Sequence, residues 1–182
     1  MKRTINSTAI LAVVLLLTAY QASAGIHEVW DQAHFFKPET IVQLDQILAD
    51  IHEKYHKDLM IETFASIPDD FKTKYQQDGK EKFFKNWASS EGATLQLNGL
   101  IVLICGDPRH VQIELGQATR QKAFTEADRD ELIGVITAAF KAKDFDKGIV
   151  TAAQFVRDRM DKNLAGGNLP TTRPSSQSSE SK

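Results

Sequence analysis

Leu100-Ile101-Val102-Leu103-Ile104-Cys105 is a run of six apolar residues between Gly99 and Gly106, and it constrains this chain more than any other stretch. With no polar side chain in the run, neither face of such a strand can look onto water. The pattern predicts a central strand covered on both sides. Gly106-Asp107-Pro108-Arg109 then reads as a turn. His110-Val111-Gln112-Ile113-Glu114-Leu115 alternates polar with apolar, as a half-exposed antiparallel partner does.

Helical patterns surround this hairpin. Pro38-Glu39-Thr40 opens a first helix with Pro in its favoured first turn, and Ile41, Leu44, Ile47, Leu48, Ile51 and Tyr55 recur on one face. Leu59 to Phe64 reads as a strand. A second helix is expected from Lys72 or Lys80 to Ala88, with Asp78-Gly79 as a break, followed by a polar loop over Ser89 to Asn98. Thr125 and Asp128 mark the start of a helix reaching Ala142, close to a capping box. A last helix spans Asp144 to Lys162. The expected order is α-β-α-β-β-α-α, which gives an α/β/α sandwich: a small mixed β-sheet flanked by helices on both faces.

The two ends carry different signals. Lys2 and Arg3, the apolar stretch Ile10 to Ala19 and Ala22-Ser23-Ala24 predict a cleaved signal peptide over residues 1–24. The apolar stretch is shorter than the ~20 residues that span a bilayer. Residues 25–162 are expected to form the domain. Residues 163–182, rich in Gly, Pro and Ser, are expected to form a disordered tail. The destination is therefore periplasmic or secreted. Lys2 and Arg3 are the only charged residues in 1–24, so 20 basic and 24 acidic residues remain after cleavage, a net charge of −4. That balance argues against nucleic acid as a partner. Cys105 is the only cysteine, which excludes an intramolecular disulfide.

His52-Glu53-Lys54-Tyr55-His56 fits the H-E-x-x-H pattern of zinc peptidases, with Glu81 at a tolerable spacing for a third ligand. Imidazoles near a helix C-terminus are also favoured by the helix dipole without any metal, and the match is read here as incidental. Asp107 and Arg109 read as turn residues, with anion binding the alternative for Arg109, and Cys105 reads as core. No Gly-rich phosphate loop, Ser/His/Asp arrangement or cofactor fingerprint is present.

Several motifs occur together in order: Phe35-Phe36-Lys37-Pro38-Glu39, Trp87, Asn98-Gly99, Asp107 through Gly116, and Lys143-Asp144-Phe145-Asp146-Lys147-Gly148-Ile149. In this the chain resembles the TPM domain family, named for a thylakoid-lumen acid phosphatase, a photosystem II repair protein and a nematode receptor auxiliary protein. The resemblance covers roughly His34 to Met160. It implies an α/β/α sandwich, an extracytoplasmic location, and a role in acid phosphatase chemistry, divalent-metal binding or the upkeep of membrane protein complexes. The family's acid before Asn-Gly is Leu97 here. Its Gly-rich acidic segment is Gly116-Gln117-Ala118-Thr119-Arg120, and Glu126 stands for the Asp at the next helix start.

The expected topology gathers His56, Asp58, Glu91, Asn98, Glu114, Gln117, Glu126 and Asp128 at one rim of the sheet. Of these, Glu114, Glu126 and Asp128 are the candidate ligands for a divalent cation such as calcium, which takes oxygen donors. The leading functional reading is a non-catalytic binding or maintenance module for envelope or membrane protein complexes. The alternative is a metal-dependent acid phosphatase-like hydrolase, and the distant alternative is a zinc peptidase built on His52 to His56.

Overall fold

The structure is a computed structural model that describes residues 28–165. The expected signal peptide lies outside those residues, as does most of the expected tail. Nine regular elements follow in order: β1 (Val29–Asp31), α1 (Pro38–Tyr55), β2 (Asp58–Phe64), α2 (Asp69–Asp78), α3 (Lys80–Thr94), β3 (Gly99–Cys105), β4 (His110–Leu115), α4 (Glu126–Lys141) and α5 (Phe145–Ala165). A single π-helical turn, Thr119–Ala123, links β4 to α4.

The sheet runs β1-β2-β3-β4. The first two pairings are parallel and β3–β4 is antiparallel. This is the mixed sheet flanked by helices that the sequence predicts. Every residue of β3 is buried, as its unbroken apolar run requires. Strand alternation sends the two sides of the sheet into separate cores. Leu59, Ile61, Leu100, Val102, Ile113 and Leu115 meet α1, α4 and α5. Met60, Ile101, Leu103 and Cys105 meet α3, where Phe83, Phe84 and Trp87 form an aromatic cluster joined by Phe71 and Tyr75 of α2.

Three features differ from the sequence expectation. The first is β1, which is only three residues long and half-buried, too short for an alternation signal. The second is the polar loop after Ala88, which is helix as far as Thr94. Ser and Gly lower helix propensity there, but Gly92 faces Ile101 and Leu97 closely enough that a Cβ on it would reach them at 3.8 and 3.9 Å, and tertiary packing outweighs the local preference. The third is the last helix, which continues past Lys162 to Ala165. At Asp78-Gly79 the helix does break, with Gly79 at φ +75.

Side-chain ties explain several of the sequence motifs physically. The Asp31 carboxylate accepts the backbone N–H groups of Phe35 and Phe36 (3.0 and 2.8 Å) and the Thr63 hydroxyl, fixing the approach to α1. Asp146, in the first turn of α5, accepts the Lys37 N–H at 2.9 Å and the Thr40 hydroxyl at 2.7 Å. It thereby supplies a remote carboxylate at the start of α1, whose own N-cap residue, Lys37, provides no side-chain bond.

Candidate functional site

At the end of the sheet where β2 and β3 begin, Asp58 is the organising carboxylate. It is 6% exposed and accepts the Asn98 N–H at 2.7 Å, with His52 Nδ1 at 3.0 Å. The Asn98 side chain donates to the His56 carbonyl and accepts from Lys57 Nζ. His56, Asp58 and Asn98 therefore do meet, but as a fastening between the α1–β2 turn and the start of β3.

His52 and His56 do not share a helical face. The helix ends at Tyr55, and His56 is the C-cap in the left-handed region (φ 52). A carboxylate on Nδ1 of His52 is also the arrangement that orients a zinc ligand. The deciding feature is therefore the second imidazole, which is exposed and turned off the helix. Glu81 starts α3 near the opposite end of the sheet, beside Cys105 and His110. Among the described residues, no three His, Cys, Asp or Glu side chains are grouped to hold a metal ion.

The three candidate cation ligands each have protein partners. Thr125 and Asp128 form the capping box that their spacing predicts. Asp128 Oδ2 accepts the Thr125 N–H at 2.8 Å, the Thr125 hydroxyl at 2.7 Å and the Asn163 amide at 2.9 Å, while Arg159 reaches Oδ1 at 3.1 Å. Burial pushes this carboxyl up, but those hydrogen bonds and the Arg159 charge outweigh it and hold it below the usual range. Glu126 pairs with Arg120 at 3.5 Å and with Arg129. Glu114 accepts from the Gln112 amide at 2.8 Å. Glu91 is in the last turn of α3, and its charge acts on Glu62 of β2.

A concavity borders two of these residues, Glu114 and Arg129. A half-open groove of about 1020 Å³ follows β4, the longer edge strand, between α3 and α4. Its apolar floor includes Phe140 and Phe145, whose ring centroids lie 4.8 Å apart, with Phe35 stacked on Phe145 at 5.7 Å. On its wall, His110 Nε2 lies 3.0 Å from Gln112 Oε1, continuing the chain that Gln112 makes to Glu114. His110 also stacks on Phe84 at 4.2 Å. Lys85, Arg109, Lys141 and Lys143 line the groove and enter no ion pair among the described residues, whereas Glu81 and Glu114 are its only acids. In the sequence Arg109 reads as a turn residue or an anion-binding one, Lys143 stands out only as the start of its motif, and nothing links them to Lys85 or Lys141. Four cations from three separate segments have no common sequence period, so only the fold reveals them.

Cys105 also borders the groove, but its residue is 3% exposed. Burial pushes the thiol up, away from a nucleophilic thiolate.

No described helix is long and apolar enough to cross a membrane. The fold is similar to two solved domains at identities that speak to fold alone. The N-terminal domain of a protein from P. gingivalis superposes with a TM-score of 0.62 and 15% identity, over 75% of this chain and 83% of that one. The N-terminal domain of the cg2496 protein from Corynebacterium glutamicum gives a TM-score of 0.55 and 16% identity, over 88% of each chain. No curated protein matches the chain significantly. The profile of the TPM domain matches residues 29–159, nearly the whole described region. With that span matched and the mixed sheet in place, the chain belongs to the TPM domain family.

Proposed function

We propose that this chain is a non-catalytic binding module, exported from the cytoplasm, that serves protein partners of envelope or membrane complexes. The observation carrying this reading is the groove along β4, a concavity with an apolar floor and cations that enter no ion pair among the described residues. Such a combination suits recognition, with the apolar surface supplying affinity and the charges supplying orientation. Two of the candidate acids support the same reading, because Asp128 and Glu126 are occupied with Arg159, Arg120 and Arg129. The test is capture from an envelope fraction by the wild type and by the Lys141→Glu, Lys143→Glu double variant. A partner retained by the first and lost by the second supports the module. Identical captured sets overturn it.

The second reading, a metal-dependent acid phosphatase-like hydrolase, draws support from the same four unpaired cations, which suit a phosphate group. A calcium ion at Glu114, Glu126 and Asp128 would belong to it. Hydrolysis of a chromogenic phosphate by purified protein, abolished by chelator, would replace the binding reading with this one.

A further inference from the structure

Deepening the partner-binding reading on which it rests, we infer that the β4 groove takes an acidic, extended peptide segment that carries an apolar anchor side chain. The charge argument comes first. The chain as a whole is net −2, yet the groove gathers four unpaired cations against two acids. It is a positive strip on an acidic protein, and such a strip selects for negative ligands.

The shape argument selects a peptide over a small anion. The lining follows β4 from His110 to Glu114, which at strand rise is about 13 Å. Arg109 and Lys143 stand near the start of that path. Ile133 and Thr137 of α4 flank it, leading to the aromatic floor at Phe140. One end therefore suits a carboxylate, and the floor suits an apolar side chain.

The backbone adds one more partner. Gly116 donates to the Gly99 carbonyl at 2.9 Å, and the β3–β4 register continues from that pair. Alternation then turns the N–H and C=O of Val111, a half-buried groove residue, away from β3. Farther along the same edge, Ile113 is fully buried, and Arg120 covers the Leu115 carbonyl at 2.8 Å. The edge is thus open at Val111 and closed beyond it. The ligand lies in the groove and touches the strand edge locally, without adding a full fifth strand.

Fluorescence anisotropy of labelled synthetic peptides tests this. The first alternates glutamate with leucine and is about as long as β4. The second replaces glutamate by lysine, and the third replaces leucine by serine. The first is expected to bind, with affinity falling as salt rises. The other two, and the first peptide on the Lys141→Glu, Lys143→Glu variant, are expected to bind at least about tenfold more weakly. Thr137→Phe, which narrows the groove without touching a charge, is expected to weaken the first peptide as well, and circular dichroism checks that both variants fold. Equal binding of acidic and basic peptides overturns the ligand class. So does acidic binding that both variants leave unchanged. No peptide binding, with partner capture still lost in the double variant, overturns the acidic-peptide inference and leaves the module reading standing.

Discussion

His52 Nδ1 lies 3.0 Å from Asp58 Oδ1, joining the last turn of α1 to the first residue of β2. A carboxylate only accepts, so the imidazole carries its proton on Nδ1 at this contact. Asp58 is almost fully buried and has the Asn98 N–H as its other partner. His52→Ala is therefore expected to lower stability by about 1–2 kcal/mol, since it strands one buried carboxylate oxygen. Glu53 is exposed, and Glu53→Gln should move stability by no more than ~0.5 kcal/mol. Urea denaturation reads both. Stoichiometric zinc in purified protein, lost on His52→Ala or His56→Ala, would show that the H-E-x-x-H match is a metal site after all.

Gly99 admits no side chain. A Cβ there would sit 1.8 Å from the Asp58 carbonyl oxygen, a backbone atom held by β2–β3 pairing. Gly99→Ala is expected to cost more than about 3 kcal/mol and to yield little soluble protein, because neither strand can shift without breaking the ladder. Gly116→Ala is the comparison: its nearest contact is 3.3 Å, so a much smaller loss is expected. Equal thermal midpoints for the two variants would contradict this account.

Export rests on Lys2-Arg3, the short apolar stretch and Ala22-Ser23-Ala24. Mass analysis of exported protein should find a chain beginning at Gly25. Full-length protein anchored in the membrane would refute the cleavage.

The two covered faces of the sheet were legible from Leu100 to Cys105 alone, and the Thr125–Asp128 cap from its spacing, because each signal is local. β1 was not legible, since three residues cannot display a period. The helical stretch Ser89 to Thr94 was hidden by weak local propensity that packing against β3 overrides. The family resemblance was carried by residues that hold the fold: Gly99 meets the β2 backbone, Phe35 and Phe36 meet Asp31, and Asp146 meets α1. The groove stayed invisible because Lys85, Arg109, Lys141 and Lys143 converge only in three dimensions.

Glu114, Glu126 and Asp128 are not grouped to hold an ion, so any calcium binding at these acids is expected to be weak. Glu126 stands between two arginines, and Asp128 already receives four contacts. A cation must displace or oppose those groups, so affinity should fall near ~10⁻⁴–10⁻³ M. Calorimetry is the direct check. Submicromolar affinity, or affinity unchanged by Glu114→Gln with Glu126→Gln, would mean the ion is held elsewhere.

Glu62 should make stability depend on pH in a way opposite to an ion-paired carboxylate. It lies on β2 between Trp30 and Leu103 in register, is 2% exposed, and has no partner for Oε2 among the described residues. Burial first, and the Glu91 charge second, raise its pKa from 4.5 to about 7. Below the lower value both folded and unfolded chains hold the proton. Between the two values the folded chain keeps a proton that the unfolded chain has released, so this group's contribution declines as pH rises. The slope approaches about 1.4 kcal/mol per pH unit within that window and flattens above the folded value. Glu62→Gln, which stays neutral, should match the wild type at about pH 4.5 and exceed it increasingly up to about pH 8. Urea midpoints taken across that range decide the matter. A wild-type-to-variant difference that stays constant with pH would show that Glu62 ionises as freely in the folded chain as in the unfolded one.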